Sequence, residues 1–125
     1  MGLATAELLA SRGATISLAD INEEALRTAV QSLPNSSKHI STVVDVRSSK
    51  SVDDWIQSTV QKLGKLDGAV NMAGVITPAT PIVEETDEHW DFSFNVNARG
   101  VFFCVRAQLR AMKSGASIVR APTLS

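Results

Sequence analysis

The chain has 125 residues, 44% of them hydrophobic, which is long enough to bury a core and too short for two domains. With 12 Lys and Arg against 13 Asp and Glu and no basic cluster, the composition argues against nucleic-acid and anionic-membrane partners. One cysteine excludes an internal disulfide, two isolated histidines do not supply a zinc site, and tyrosine is absent.

Hydrophobic periodicity predicts helices and strands in alternation along the first part of the chain. Residues 3–12 fit a helix, and the apolar run 14–19 fits a strand that closes on Asp20. A second helix follows, for which Asn22 is the predicted N-cap and Pro34 the stop.

The remainder of the chain repeats this alternation. The predicted elements are a strand at 40–46, a helix at 48–63, a strand at 66–72, a long apolar helix that begins at Thr86, its predicted N-cap, and continues to Met112, and a strand at 116–119. Strands that alternate with helices of this length imply right-handed crossovers. The predicted fold class is therefore α/β, a doubly wound parallel sheet, in one domain that covers residues 1–125.

The chain opens on a helix with no strand before it, whereas a Rossmann fold has its first strand at the centre of the sheet. The sequence thus predicts a partial Rossmann fold that lacks this strand and leaves the inner edges of strands 14–19 and 66–72 unpaired. Three outcomes follow from that prediction. The two strands close up against each other, another chain fills the slot, or the domain is marginally stable.

Four short motifs occur in the order and spacing of a known family. They are Met1-Gly2-Leu3-Ala4, Asp45-Val46, Asn71-Met72-Ala73-Gly74 and Asn97-Ala98-Arg99-Gly100. They resemble the end of the TGxxxG[IL]G turn, the Asp-Val pair, the Asn-Asn-Ala-Gly strand end and the Asn-Leu-x-Gly helix of short-chain dehydrogenases/reductases. The resemblance extends over essentially the whole chain and implies a dinucleotide-binding fold.

The resemblance also implies a role for each matching residue. Gly2 is the third glycine of the phosphate turn, Asp20 binds the adenosine ribose, Asp45 and Val46 lie against the adenine, and Asn71, Ala73 and Gly74 lie at the nicotinamide-side ribose. Asn97 is the catalytic Asn that bends its helix and holds a water of the proton relay, and Arg106 is a basic residue near the cofactor. A solvated Arg or an ion pair is an equal interpretation of Arg106. The cofactor is NAD or NADP, and Asp20 favours NAD because a carboxylate repels a 2′-phosphate.

The chain departs from the family pattern at positions on which the family's catalysis and cofactor binding depend. The catalytic Tyr and the Lys four residues after it are absent, and Met72 replaces the second Asn of its motif. The family's Ser is absent as well, with only Thr123 or Ser125 as a weak substitute. The chain stops where the family is about halfway through, and Gly2 alone does not build the phosphate cradle.

The resulting hypothesis is an oxidoreductase that transfers hydride between NAD(P) and a small-molecule alcohol or carbonyl substrate, inactive as this chain alone. The alternatives are a non-catalytic interaction module that pairs with a full-length relative, and a fragment of a longer biosynthetic reductase. Homo- or hetero-oligomers would form through the helix from Thr86 to Met112. No metal site is expected, Cys104 is expected in the core, and a cytoplasmic location is expected from the lack of an evident targeting segment.

Overall fold

The computed structural model describes residues 1–121, in which five helices and four strands follow each other along the chain. The elements are α1 (Gly2–Ser11), β1 (Ser17–Asp20), α2 (Glu23–Ser32), β2 (Ile40–Val43), α3 (Ser49–Leu63), β3 (Gly68–Asn71), α4 (Asp87–Phe94), α5 (Val101–Ala111) and β4 (Ser117–Arg120). Short 3-10 turns lie at Ser36–Lys38 and Ile82–Glu84, and a π-helical segment at Asn95–Gly100 joins α4 to α5. Thr123 and Ser125 lie outside the described residues.

Side-chain caps explain where three of the helices begin. Asn22 accepts a hydrogen bond from the backbone N–H of Ala25 (2.9 Å), and Thr86 accepts one from the N–H of His89 (3.2 Å). Ser48 does the same for α3. These bonds satisfy N–H groups that have no partner within the first turn of a helix. The capping roles predicted for Asn22 and Thr86 are confirmed.

The strands form two separate two-stranded sheets, β1 with β2 and β3 with β4, both parallel. Within residues 1–121, β1 and β3 do not pair with each other, so the predicted gap at the position of a central strand is confirmed. The two strands have not closed up, and each keeps one edge without a neighbouring strand in the described part of the chain.

All four strand predictions were wrong at their ends. Residues 14–16 do not belong to β1, because the end of α1 extends as far as Ala14. Gly13 has a positive φ of 91°, and the backbone N–H of Ala14 donates to the carbonyl of Leu9 in α1. The strand predicted at 40–46 ends at Val43, because Asp45 bonds to the N–H of Arg47 and turns the chain. The last two strands are β3 at 68–71 and β4 at 117–120, set by the pairing of Gly68 with Ser117.

The helix predicted from Thr86 to Met112 is present as an unbroken helical stretch over residues 87–111, but residues 95–100 within it are π-helical, which separates α4 from α5. Gly100, at the end of the π segment, lies against Val46. A Cβ atom at Gly100 would be 2.9 Å from Val46 Cγ2 and 3.2 Å from the Val46 carbonyl oxygen. The absence of a side chain at Gly100 therefore lets this helix approach the loop that follows β2.

The larger of two apolar clusters joins α3 and α5 beneath the end of β2. Its buried members are Val44, Val52, Ile56, Phe103, Cys104 and Ala107. The smaller cluster packs α1 against β1 and the end of α2, through Ala6, Ala10 and Leu33 with Ile16 and Leu18 beside them. The core location predicted for Cys104 is confirmed, and its burial raises the pKa of the thiol to about 11.

Among residues 1–121, no helix is long and apolar enough to cross a membrane.

Candidate cofactor site

The predicted binding residues follow the carboxyl ends of three parallel strands. Asp20 is the last residue of β1, Asp45 and Val46 come directly after β2, and Asn71 is the last residue of β3. Asp20 stands opposite Val43 in the pairing register, and its carbonyl accepts the N–H of Val44 (2.9 Å). In open α/β sheets, the carboxyl ends of the strands form the edge at which ligands bind.

Asp20 is exposed at this edge. Its Oδ1 accepts a hydrogen bond from the backbone N–H of Asn22 (2.9 Å), which fixes the direction of the carboxylate. Among the described residues, no side chain bonds or forms an ion pair with Asp20, so its second oxygen remains available to an incoming donor.

The carboxylate of Asp45 is held by Arg47 instead of being free. Arg47 donates from its backbone N (3.0 Å), from Nε (2.9 Å) and from Nη2 (2.7 Å). The hydrogen bond from the Arg47 side chain is the main reason why the pKa of Asp45 lies below its usual range. The Arg47 guanidinium also lies over the Phe92 ring of α4, 5.8 Å from its centroid. These contacts connect the turn after β2 to α4.

Asn71 uses its carboxamide in a buried pair that sequence reasoning missed. Asn71 Nδ2 donates to Gln108 Oε1 (2.9 Å), and Gln108 Nε2 donates to Asn71 Oδ1 (2.8 Å). Gln108 is 1% exposed and Asn71 is 9% exposed. The only signal in the sequence was a polar residue among the apolar positions of the buried side of α5. Both ends of the Asn71 carboxamide are therefore bonded to Gln108.

Asn97 has a comparable arrangement in the π-helical segment. Its Oδ1 accepts the backbone N–H of Val75 (2.8 Å), and its Nδ2 donates to the carbonyl of Val75 (2.8 Å). The side chain thus bonds to the loop after β3 and not to its own helix. Ala73 and Gly74, just before Val75, are exposed. Asn97 therefore fixes the position of the loop that carries two of the predicted binding residues.

Gly2 and Arg106 belong to helices and not to strand ends. Among residues 1–121, no atom lies within 4 Å of a Cβ placed at Gly2, and no side chain caps the N-terminus of α1, so its first backbone N–H groups have no side-chain partner in that part of the chain. Arg106, on α5, stacks on the rings of Phe102 (4.8 Å to its centroid) and Phe103 (5.3 Å). Its Nε is buried without a hydrogen-bond partner among the described residues. Arg106 lines a groove together with Asn97.

No group of three or more His, Cys, Asp or Glu residues in the described part of the chain is arranged to hold a metal ion. The arrangement is instead that of a doubly wound, dinucleotide-binding α/β protein, with acidic and amide side chains at the carboxyl ends of successive parallel strands.

Comparisons with known proteins identify the family. A family model described as enoyl-(acyl carrier protein) reductase matches residues 1–124. The short-chain dehydrogenase/reductase aba4 of Botryotinia fuckeliana is 43% identical over 130 residues, which cover 99% of this chain and 50% of aba4. Chanoclavine-I dehydrogenase easD of Arthroderma benhamiae is 40% identical over 127 residues, with coverage of 94% and 51%.

A solved short-chain dehydrogenase from Mycobacterium smegmatis superposes with a TM-score of 0.87 at 35% identity, over 95% of this chain and 51% of that one. The chain therefore belongs to the short-chain dehydrogenase/reductase family, whose members are NAD(P)-dependent oxidoreductases. It spans about half the length of the curated relatives that it matches.

Proposed function

We propose that this chain supplies the cofactor-binding half of an oxidoreductase that transfers hydride between a nicotinamide and a small-molecule alcohol or carbonyl carbon, with NAD preferred over NADP. The observation that carries the proposal is the exposed carboxylate of Asp20 at the end of β1, oriented by the N–H of Asn22. Ribose hydroxyls donate to such a carboxylate, whereas a 2′-phosphate is repelled by it.

The surrounding residues are compatible with a bound dinucleotide. Open N–H groups at the start of α1 suit a pyrophosphate, because the N-terminus of a helix carries partial positive charge. The exposed backbone at Ala73 and Gly74 leaves room for the nicotinamide-side ribose. Asp45 and Val46 lie in a turn that is bonded through Arg47, and the adenine would rest on this turn. The cofactor would supply the hydride, and these residues would bind and orient it.

Asn71 and Asn97 act in this proposal by holding the loop between them. The side chain of Asn71 bonds to Gln108 and so holds the end of β3. The side chain of Asn97 bonds to Val75, which lies four residues after Asn71 in the chain. The water-holding role of Asn97 in a proton relay stays a prediction. A general acid is needed to move a proton to or from the substrate oxygen, and the family's Tyr is absent from this chain. We therefore expect no turnover by this chain alone, and NADH-dependent reduction of a carbonyl by the purified chain would contradict that.

Binding measurements test the cofactor proposal directly. NADH and NADPH are titrated into the chain and into the Asp20→Asn variant, with Asp67→Asn as the matched control because Asp67 is also exposed but precedes β3. We expect the chain to bind NADH more tightly than NADPH, and Asp20→Asn to reduce that ratio by about tenfold, or about 1.4 kcal/mol. Equal affinities in the unaltered chain, or no binding of either dinucleotide, would overturn the proposal.

A second function, association with another chain through residues 86–112, is favoured by a specific observation. Large apolar side chains on α4 and α5 are exposed, among them Trp90, Phe94, Phe102 and Leu109. Exposed apolar patches of this kind are typical of protein interaction sites.

The predicted cytoplasmic location stays a prediction, which imaging of a fluorescent fusion would test.

A further inference from the structure

The turn after β2 is bonded at several atoms and leaves one backbone donor open. The carbonyl of Asp45 accepts the N–H of Ser48 (3.0 Å), and the N–H of Asp45 donates to Ser51 Oγ (3.2 Å), so the turn is bonded to the start of α3. Gly100, at the end of the π-helical segment, lies against the side chain and the carbonyl of Val46. The N–H of Val46 has no hydrogen-bond partner among residues 1–121. A free backbone donor therefore lies one residue from the carboxylate of Asp45.

The carboxylate of Asp45 has one acceptor position left after its bonds to Arg47. A carboxylate offers about four lone-pair positions, two on each oxygen. Oδ1 accepts the backbone N–H of Arg47 (3.0 Å) and its Nε–H (2.9 Å), which use both positions of that oxygen. Oδ2 accepts from Nη2 (2.7 Å), and Nε lies farther from it, at 3.2 Å. Because Nε carries a single hydrogen that is shared with Oδ1, Oδ2 keeps room for one more donor.

Arg47 determines both the direction and the charge of this carboxylate. A planar guanidinium that bonds a carboxylate through two nitrogens fixes the plane of the carboxylate. The side-chain hydrogen bond from Arg47 also keeps the pKa of Asp45 below its usual range, so the carboxylate is an acceptor at neutral pH. The guanidinium in turn lies over the ring of Phe92, 5.8 Å from its centroid. The Arg47 and Asp45 side chains are 43% and 35% exposed, so their ion pair contributes little to stability and is open to a ligand.

One acceptor beside one donor matches the edge of an adenine ring. Adenine presents an exocyclic amino group, which donates, next to the ring nitrogen N1, which accepts. Hypoxanthine presents the reverse, a carbonyl oxygen next to a protonated N1, so it would leave two acceptors and two donors facing each other. β1 and β2 are neighbouring strands about 4.8 Å apart, so a ribose bound at Asp20 has its base within reach of the turn.

We propose that Arg47 positions the Asp45 carboxylate for an adenine ring and thereby sets the preference of this chain for adenine over hypoxanthine in a bound dinucleotide. The exocyclic amino group would donate to Asp45 Oδ2, and N1 would accept the N–H of Val46. Without the guanidinium, the exposed carboxylate is free to rotate, and the acceptor loses its fixed place beside the donor. This inference rests on the proposed cofactor-binding function and adds a residue outside the Asp-Val motif.

Discrimination between two bases tests the proposal. NAD⁺ and nicotinamide hypoxanthine dinucleotide differ only at this edge of the purine, and each is titrated into the full chain by isothermal calorimetry. We expect the unaltered chain to bind NAD⁺ about tenfold more tightly than the hypoxanthine analogue. Arg47→Met keeps the aliphatic part of the side chain and should reduce that ratio to below about threefold. Arg47→Lys should recover part of the ratio, because it keeps a cation that donates to the carboxylate.

A control arginine separates this effect from a general loss of charge. Arg27 is exposed on α2 and forms an ion pair with Glu23 (3.7 Å), as Arg47 does with Asp45. Arg27→Met removes the same positive charge from the chain and should keep the ratio of the unaltered chain.

A double variant tests whether Arg47 acts through Asp45. Asp45→Asn should lower the ratio about as far as Arg47→Met does. Adding Arg47→Met to Asp45→Asn should change the ratio by less than about twofold, because no carboxylate is left to position. Far-UV circular dichroism confirms that each variant is folded.

The outcomes distinguish this inference from the cofactor proposal. If NAD⁺ binds and Arg47→Met keeps the tenfold ratio, or if the effects of the two substitutions multiply, the inference is overturned and the cofactor proposal stands. If the unaltered chain binds neither dinucleotide, both are overturned.

Discussion

The buried carboxamide pair of Asn71 and Gln108 allows a quantitative test of what holds the end of β3. Gln108→Met keeps the volume of the side chain and removes both hydrogen bonds. The loss of two bonds at about 1 kcal/mol each, together with about 1–3 kcal/mol for leaving the Asn71 carboxamide buried without a partner, gives a total of about 3–5 kcal/mol. That is a large share of the roughly 5–15 kcal/mol by which a domain is stable.

The double variant separates the pair from simple loss of packing. Asn71→Leu with Gln108→Met replaces both polar groups by apolar ones of similar size, so no buried group is left without a partner. We expect its cost to be well below the sum of the two single variants, with a coupling energy of about 1–3 kcal/mol.

Urea unfolding followed by circular dichroism measures all of these variants at one pH. Gln57→Met, an exposed position on α3, is the control and should change the free energy of unfolding by less than about 0.5 kcal/mol. A cost below about 1 kcal/mol for Gln108→Met, or single-variant costs that simply add, would refute the reasoning.

Three further outcomes are expected from individual contacts. Gly100→Ala should lower the free energy of unfolding by about 1–3 kcal/mol, since its Cβ would lie 2.9 Å from Val46 Cγ2, and an unchanged urea midpoint would contradict this. Because burial raises the pKa of Cys104 to about 11, a thiol reagent at pH 8 should label the chain only as fast as it unfolds, and rapid labelling of the folded chain would show otherwise. Because Arg47 lowers the pKa of Asp45 below 3.8, the pair should stabilise the fold fully above that pH and lose its effect as the pH falls through the lowered pKa. The acid unfolding of Asp45→Asn should lack the stabilisation by this pair, which solvent screening keeps below about 1 kcal/mol. Identical acid-unfolding curves for the variant and the unaltered chain would contradict this prediction.

The features that sequence predicted well depend on local signals. Asn22 and Thr86 were recognised as helix caps because an N-cap bonds within three residues of itself. The alternation of apolar strands and helices gave the fold class, and the missing partner of β1 and β3 followed from the order of elements. The position of Asp20 at a strand end followed from the same reasoning.

The features that sequence missed depend on contacts between distant residues. Asn71 and Gln108 are 37 residues apart, and Asn97 and Val75 are 22 apart, so neither pairing leaves a periodic signal. The π-helical segment was predicted as ordinary helix, and the close approach of Gly100 at its end to Val46 is likewise a contact between distant residues. Asp45 with Arg47 is the exception, because the two residues are neighbours and the pair was within reach of local reasoning.

Because the two sheets do not pair with each other, packing between helices holds the two halves of the molecule together. Within residues 1–121, no strand pairing joins β1 to β3, whereas α3 and α5 share a buried apolar contact that includes Ile56 and Phe103. Widening the slot between the sheets therefore breaks no backbone ladder and acts on side-chain contacts such as those of α3 with α5 and of Val46 with Gly100. Amide hydrogens at the open edges of β1 and β3 should accordingly exchange with solvent faster than those in the centre of α3, as separate opening units of one domain.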